Sequence, residues 1–538
     1  MTAVARATAF APRTGGSRPL AGTGALLRLA LRRDRVMMPV WVLVVGGVIS
    51  SAPNSLKALY STAADRSELA HSMSTNGSLR ALYGPLFSDS VGGITAWRYV
   101  TFGALMAGIM SLTIVVRHTR EEEETGRQEL LSSAMVGRRA PLTAALLAAF
   151  IANAALALVI TAGLAGEGRG GALALGLVIG GLGVLFATMA GIVAQLTESA
   201  RLAKGLTAAV LGLAFVLRAA GDAGARDGSS VLTWLSPVGW AENMRAFAGE
   251  RWWILLLFAG AIVAQALVAF VLAGRRDIGM SFLPSRPGPA EGRLATAGSL
   301  AWRLQRGGVL GWGIGFLGAG VMFGGMAESA ADLVGDSENT REIFERMGGQ
   351  SGLTDAFLAA MVGMLGMVAA LYVVQAVLRL NAEEISQRAE PLLAGAVGRL
   401  RWAAGHLVIA FGGAALLMVL GGLGLAIGYG RDAGPILGAC LVRPAGIWVF
   451  GGFAMLLYGV FPKAAVAAWG ASGIALALGW IGPALDLPQS VMNLSPFEHL
   501  PSLPGTQMHW TPVLVLTALA AGLVAAGLAG LRRRDMQT

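Results

Sequence analysis

The chain has 538 residues, 55% of them hydrophobic and 13% charged, with a formal net charge of +10. A soluble domain carries about 25% charged residues, so this composition excludes an ordinary soluble globular protein. The basic balance does not point to nucleic acid, because most of the 41 Lys and Arg residues fall in loops on one side of the apolar runs.

Apolar runs near the roughly 20 residues that span a bilayer recur along the chain. Twelve are expected, at about 37–54, 94–116, 142–165, 171–195, 204–219, 252–273, 308–327, 355–378, 402–427, 434–458, 464–483 and 511–531. Inside hydrocarbon every backbone N–H and C=O needs an internal partner, so these runs are expected as helices. The fold class is therefore an all-α polytopic membrane protein. Basic residues cluster before the first run, after the second, between the sixth and seventh, after the eighth and after the last. By the positive-inside rule this places both termini in the cytoplasm. The first run, MMPVWVLVVGGVISSA, resembles a signal peptide but reads as a retained helix, since its equivalent lies mid-chain.

The chain repeats itself. EEETGRQELLSSAMVGR (122–138) aligns without a gap on EEISQRAEPLLAGAVGR (383–399), matching Glu122/Glu383, Glu123/Glu384, Arg127/Arg388, Glu129/Glu390, Leu131/Leu392 and Arg138/Arg399. LRRDRVMMPVW (31–41) matches WRLQRGGVLGW (302–312), WLSPVGW (234–240) matches NLSPFEH (493–499), and Arg275-Arg276-Asp277 matches Arg533-Arg534-Asp535. Six runs per half is even, so the halves are expected as a parallel repeat. The organisation is a cytoplasmic N-terminal segment (1–36), a first six-helix half (37–279), a linker (280–299) with three prolines, and a second half (300–538).

Each of the three lysines is followed by Ala58, Gly205 or Ala464, which rules out a P-loop. Five scattered histidines and a single cysteine, Cys440, carry no metal-ligand spacing. Neither a catalytic, a metal nor a cofactor site is expected. The repeated loop is the functional candidate. Glu123 with Arg127, and Glu384 with Arg388, stand at i,i+4 in the favourable order for helical ion pairs. Leu130, Leu131 and Leu392 set an apolar patch beside the charged residues Glu122, Glu129, Arg138, Glu383, Glu390 and Arg399. Such a surface suits docking to a soluble partner, against the plainer alternative of a solvated loop that only sets topology.

HTREEEETGRQELLSSAMVGR (118–138) resembles the cytoplasmic-loop pattern of ABC-2 type permeases, and the Leu-Ser-Pro elements at 235–237 and 494–496 strengthen the resemblance. The doubled length is similar to that of actinobacterial exporters of polyketide antibiotics. The second copy departs, with Ser386-Gln387 for Thr125-Gly126 and Pro391 for Leu130. The resemblance implies the permease subunit of an exporter of hydrophobic compounds in a bacterial plasma membrane. It implies that a separate ATPase subunit, in two copies, docks on the loops and binds the ATP and Mg2+. It also implies elbow helices near Leu26–Val36 and Leu300–Gly308, and outer caps near 222–251 and 484–510.

Short or interrupted helices at matching places point to a pathway. The fifth and eleventh helices are expected to be such, with Met106, Met110, Leu213, Phe215, Met361, Met364, Met367, Gln375, Trp469 and Trp480 as candidate lining residues. Arg218 is expected to reach the headgroups or to pair with Asp222. Two other classes compete with an ATP-driven exporter. An ion-coupled secondary transporter needs buried ionisable residues, and a sensor or assembly protein would move nothing.

Overall fold

The computed structural model describes residues 19–75, 77–127, 136–225, 227–277, 279–283, 296–335, 353–481 and 488–536. The described residues contain helices and no strand. The chain divides into two compact units, Met1–Pro287 and Gly288–Thr538.

In the first unit the helices are α1 (Thr23–Arg33), α2 (Met37–Leu59), α3 (Ala63–Thr75), α4 (Gly77–Tyr83), α5 (Val91–Arg117), α6 (Arg120–Glu124), α7 (Ala140–Leu164), α8 (Arg169–Leu196), α9 (Ala200–Gly224), α10 (Val231–Leu235), α11 (Pro237–Asn243) and α12 (Ile254–Arg275). The second unit has α13 (Ala297–Gly335), α14 (Leu353–Val377), α15 (Arg379–Ile385), α16 (Glu390–Leu393), α17 (Arg399–Tyr429), α18 (Ala433–Val442), α19 (Pro444–Val460), α20 (Ala467–Ile481), α21 (Gln489–Met492) and α22 (Trp510–Arg533).

Eleven helical stretches among the described residues are long and apolar enough to cross a membrane. The expected eleventh run is the exception. Pro462 opens a 3-10 turn, Pro462–Ala464, and the helix proper begins only at Ala467 and covers 15 residues. The fifth helix corrects the expectation of a short one: α9 covers 25 residues. Ser199 caps its start by accepting from the Leu202 N–H, and its last turns carry Arg218 and Asp222 along a buried face.

Burial is one-sided. On α2 the buried residues Met38, Val42, Gly46, Ile49, Pro53 and Leu56 recur every three or four positions, while Val40, Leu43, Val44 and Val48 lie more than half exposed. An apolar helix face this open would not persist in water, so it is a lipid-facing surface. Of the apolar windows of the first, second, third, fourth and last spans, 33, 67, 50, 72 and 17% is buried in the first unit, and the second unit gives the same five values. The two units thus place equivalent helices at equivalent depth: α5 and α8 form one core, α14 and α18–α19 the other.

Glycine sets the closest packing. A Cβ on Gly320 or Gly324 of α13 would fall on the carbonyls of Gly421 or Leu425, and one on Gly424 or Gly428 of α17 on those of Leu317 or Val321. Two G-x-x-x-G faces therefore bring these backbones into direct contact, as small residues permit in lipid. In the first unit, Gly176 and Gly180 of α8 do the same against the Ala157 and Asn153 carbonyls.

A separate short helix precedes the first span in the first unit but not in the second. α1 ends at Arg33, where the buried Asp34 turns the chain, forms an ion pair with Arg117 at 3.0 Å and lies in hydrogen-bond contact with the His118 ring at 2.6 Å. In the aligned segment Gln305 occupies the place of Asp34. It contacts the His406 ring at 2.8 Å from within a continuous 39-residue helix, so no separate elbow forms at Leu300–Gly308.

Candidate functional site

The first copy of the repeated loop leaves α5 through His118 and forms the single-turn helix α6. Its glutamates point in different directions. Glu122 pairs with Arg33 of the elbow, Glu121 with Lys204 at 3.5 Å, and Glu124 accepts from the Ala200 N–H at 3.3 Å. Glu123 is gripped on both oxygens by Arg276, at 2.8 and 2.5 Å, and also by Arg120. Arg120 is 1% exposed and donates besides to the carbonyls of Thr197 and Met280. The expected Glu123–Arg127 pair is replaced: Glu123 turns inward, and Arg127 stands 3.8 Å from Glu122 instead. This happens because α6 stops at Thr125, one turn too early to carry an i,i+4 pair across. The acidic run is thus a hub that holds the elbow, the start of α9 and the end of α12 together.

The second copy repeats the grip with different accessories. Glu384 receives both guanidinium nitrogens of Arg534 at 2.7 Å and the Tyr458 hydroxyl at 2.5 Å. Glu383 pairs with Arg379 at 2.6 Å. Here too the expected pairing with Arg388 gives way, since Glu384 faces the end of α22. In both copies the arginine that closes the loop donates to the backbone of the gripping arginine: Arg138 to the Arg276 carbonyl at 2.6 Å and Arg399 to the Arg534 carbonyl at 2.5 Å. Fork-to-fork arginine–carboxylate pairs are among the stronger charge-assisted hydrogen bonds. Burial works against the charge of Arg534, but the hydrogen bonds and field of Glu384 outweigh it and raise its pKa. Arg534 therefore keeps its charge beside Glu384.

The apparent departure at Ser386-Gln387 also disappears. Gly126 has φ +69° and Gln387 φ +56°. Thr125 donates to the carbonyls of Glu121 and Glu122, and Ser386 to the equivalent carbonyls of Ala382 and Glu383. The two loops make the same turn with different residues. Pro391 is equally at home, one residue into α16, where a helix lacks a partner for the missing N–H anyway. Glu390 is exposed and Leu392 half-buried. Glu129, Leu130 and Leu131 lie outside the described residues.

At the other end of the first unit, Arg218 does not reach toward headgroups. It is fully buried, 3.1 Å from Glu242 of α11 and 3.6 Å from Asp222, and donates to the Leu82 carbonyl at 3.0 Å. Thr101 donates to Glu242 and Thr233 to Asp222, each at 2.7 Å. Glu242 and Thr233 come from the short helices α10 and α11, which form part of the expected cap over 222–251. Ser236 caps α11 by accepting from the Val238 N–H while donating to the Ala214 carbonyl, so the Leu-Ser-Pro element ties the cap to α9. In the second unit Ser495-Pro496 also precedes a short helical turn, Pro496–His499, but the buried Ser495 hydroxyl caps nothing. The sequence missed Glu242 because its partner lies 24 positions away on another element, with no periodicity to link them.

The candidate pathway residues divide between the two units. Met110 is 1% exposed in the core of the first unit, and Met106 is half-buried beside it on α5. Leu213 is 57% exposed on α9, and Phe215 lies under the Arg218 guanidinium, 4.9 Å from its carbon. On α14, Met361, Met364 and Met367 are half-buried, and Gln375 is exposed and accepts from the Trp312 indole at 3.0 Å. Trp469 is 39% exposed on α20, the helix that also contains Trp480.

This chain is 39% identical over 528 residues to the multidrug efflux system permease protein Rv1217c of Mycobacterium tuberculosis, an alignment that covers 96% of this chain and 95% of the relative. The chain belongs to the multidrug efflux permease family. A family model described as the C-terminal domain of that permease matches residues 294–532, nearly the whole second unit. The permease is accordingly a multi-pass membrane protein and the transport subunit of an efflux system, in keeping with its resemblance to ABC-2 type permeases.

Proposed function

We propose that this permease moves hydrophobic compounds out of a bacterial cell across the plasma membrane, driven by a separate ATPase subunit that grips the two repeated loops from the cytoplasm. The single observation that carries this reading is the duplicated latch. Each loop is fastened by a buried carboxylate to the arginine that follows the last helix of its own unit, Glu123 to Arg276 and Glu384 to Arg534. A loop so anchored moves with its helix bundle. Force applied at the loop therefore reaches membrane helices without being lost in a flexible segment. A loop that only set topology would need positive charge but no such fastening.

The relative is named as a multidrug efflux protein, and drug-like hydrophobic compounds are the substrate class proposed here. ATP and Mg2+ belong to the partner, in two copies to match two loops. The test is reconstitution. Proteoliposomes holding the permease and its co-purified ATPase should move a hydrophobic dye only with ATP, and the permease alone should move none. Gradient-driven movement without the ATPase would assign the chain to secondary transport instead.

A further inference from the structure

Among the described residues, Arg218 and Arg443 lie buried well inside apolar spans, and their surroundings differ. Arg218 is matched by Asp222 and Glu242. Arg443 is 5% exposed, and no described residue gives its guanidinium a hydrogen bond or an ion pair. It stands ten positions into the 28-residue span Ala433–Val460, about 15 Å along the helix at 1.5 Å per residue. Pro444 removes a backbone N–H at this point, between α18, which ends at Val442, and α19, while Arg443 itself keeps helical angles (φ −62°, ψ −32°). Its stem lies over Gly366 of α14 and its guanidinium over Gly363. These two glycines, three apart on one helix face, leave a groove that the arginine occupies. The acidic groups whose field reaches it are the Cys440 thiol and Glu498, the latter exposed in the turn Pro496–His499 and not at ion-pair distance. An arginine stays protonated in proteins, and burying an unmatched charge is costly. A proline-interrupted apolar span that carries such a charge points to a ligand site.

We propose that Arg443 anchors a binding site for amphiphilic anions, compounds with a hydrophobic body and a carboxylate or sulfonate. This deepens the exporter reading and rests on it for the role of the site, though the binding itself does not. The planar guanidinium supplies paired donors to the anionic group. The half-buried methionines of α14 (Met361, Met364 and Met367) offer an adaptable apolar surface on the same helix as Gly363 and Gly366.

The test is saturable binding of anilinonaphthalene sulfonate, with a rhodamine ester cation as comparison, to the purified full chain in phosphatidylcholine nanodiscs without ATP or ATPase. Arg443→Gln should weaken the anionic probe roughly tenfold or more, the scale of one charge-assisted hydrogen-bond set, and leave the cation unchanged. Arg443→Lys should weaken it by a smaller factor, since the charge remains and the fork is lost. Glu498→Gln, at an exposed position, should tighten it by about twofold through removal of a screened negative field. This variant keeps the test decisive if Arg443→Gln does not fold. Equal anion binding in wild type, Arg443→Lys and Glu498→Gln overturns the proposal, as does parallel loss of both probes. Phosphatidylglycerol nanodiscs that abolish probe binding would identify a lipid headgroup as the occupant and overturn the substrate assignment; undiminished binding supports it. Because no ATPase is present, failure of the exporter reading leaves this result untouched.

Discussion

Gln387 holds a left-handed backbone conformation at the place where the first copy has Gly126. A side chain there costs roughly 1–2 kcal/mol against right-handed geometry, which glycine avoids. Gln387→Gly should therefore raise the thermal midpoint of the purified chain, offset in part by the added freedom of the unfolded chain. Gly126→Val should lower it, and unchanged midpoints in both would show that the turns are not held as described. The latch residues give a second expectation. Glu384→Ala or Arg534→Ala alone removes one side of the paired hydrogen bonds and should destabilise the chain, with the double variant costing clearly less than the sum. Strict additivity would mean that the two groups do not interact. The repeated sequence displayed every member of this latch: Glu123 and Glu384, Arg138 and Arg399, and the terminal Arg-Arg-Asp pairs. What it did not display was their meeting. A local rule for neighbours on one helix favoured Arg127 and Arg388, whereas a partner 153 positions away takes Glu123. Arg443 was equally opaque, because a charge without a partner leaves no pattern in the chain.

At the level of the helices, hydropathy suffices to find the spans, since a bilayer permits little else than a helix of about that length. Ends and breaks depend on single side chains and were less legible. Asp34 ends the first elbow, while Gln305 lets α13 run on. Pro462 delays α20, and the polar tail of α9 extends a helix that looked short because Arg218 and Asp222 lowered its apparent hydropathy. The α13–α17 contact yields a prediction with an internal control. Gly424→Leu places a side chain on the Leu317 carbonyl, whereas Gly412→Leu, on the same helix, meets nothing within 4 Å. The first should sharply reduce the yield of folded monodisperse protein in detergent and the second should not. Equal tolerance would show that the two helices do not touch through glycine.

Across the whole chain, the duplication extends from sequence to burial, with matching spans buried to matching extents in each unit. Divergence is concentrated away from the latch. One unit buries a matched Arg218–Glu242 centre and the other an unmatched Arg443, so the units share their anchoring and differ in what they offer a ligand. The central claim, that both loops are gripped by an ATPase subunit from the inner side, is tested most directly by cysteine cross-linking. The native chain has one cysteine, Cys440, which is buried, so a Cys440→Ala background is free of competing thiols. Arg127 and Arg388 are exposed positions in the two loops. In that background, Arg127→Cys and Arg388→Cys should each cross-link to the ATPase subunit, and membrane-impermeant maleimide should reach them only in inside-out vesicles. Labelling of either position from the outside of intact cells, or no adduct from either, would contradict the account.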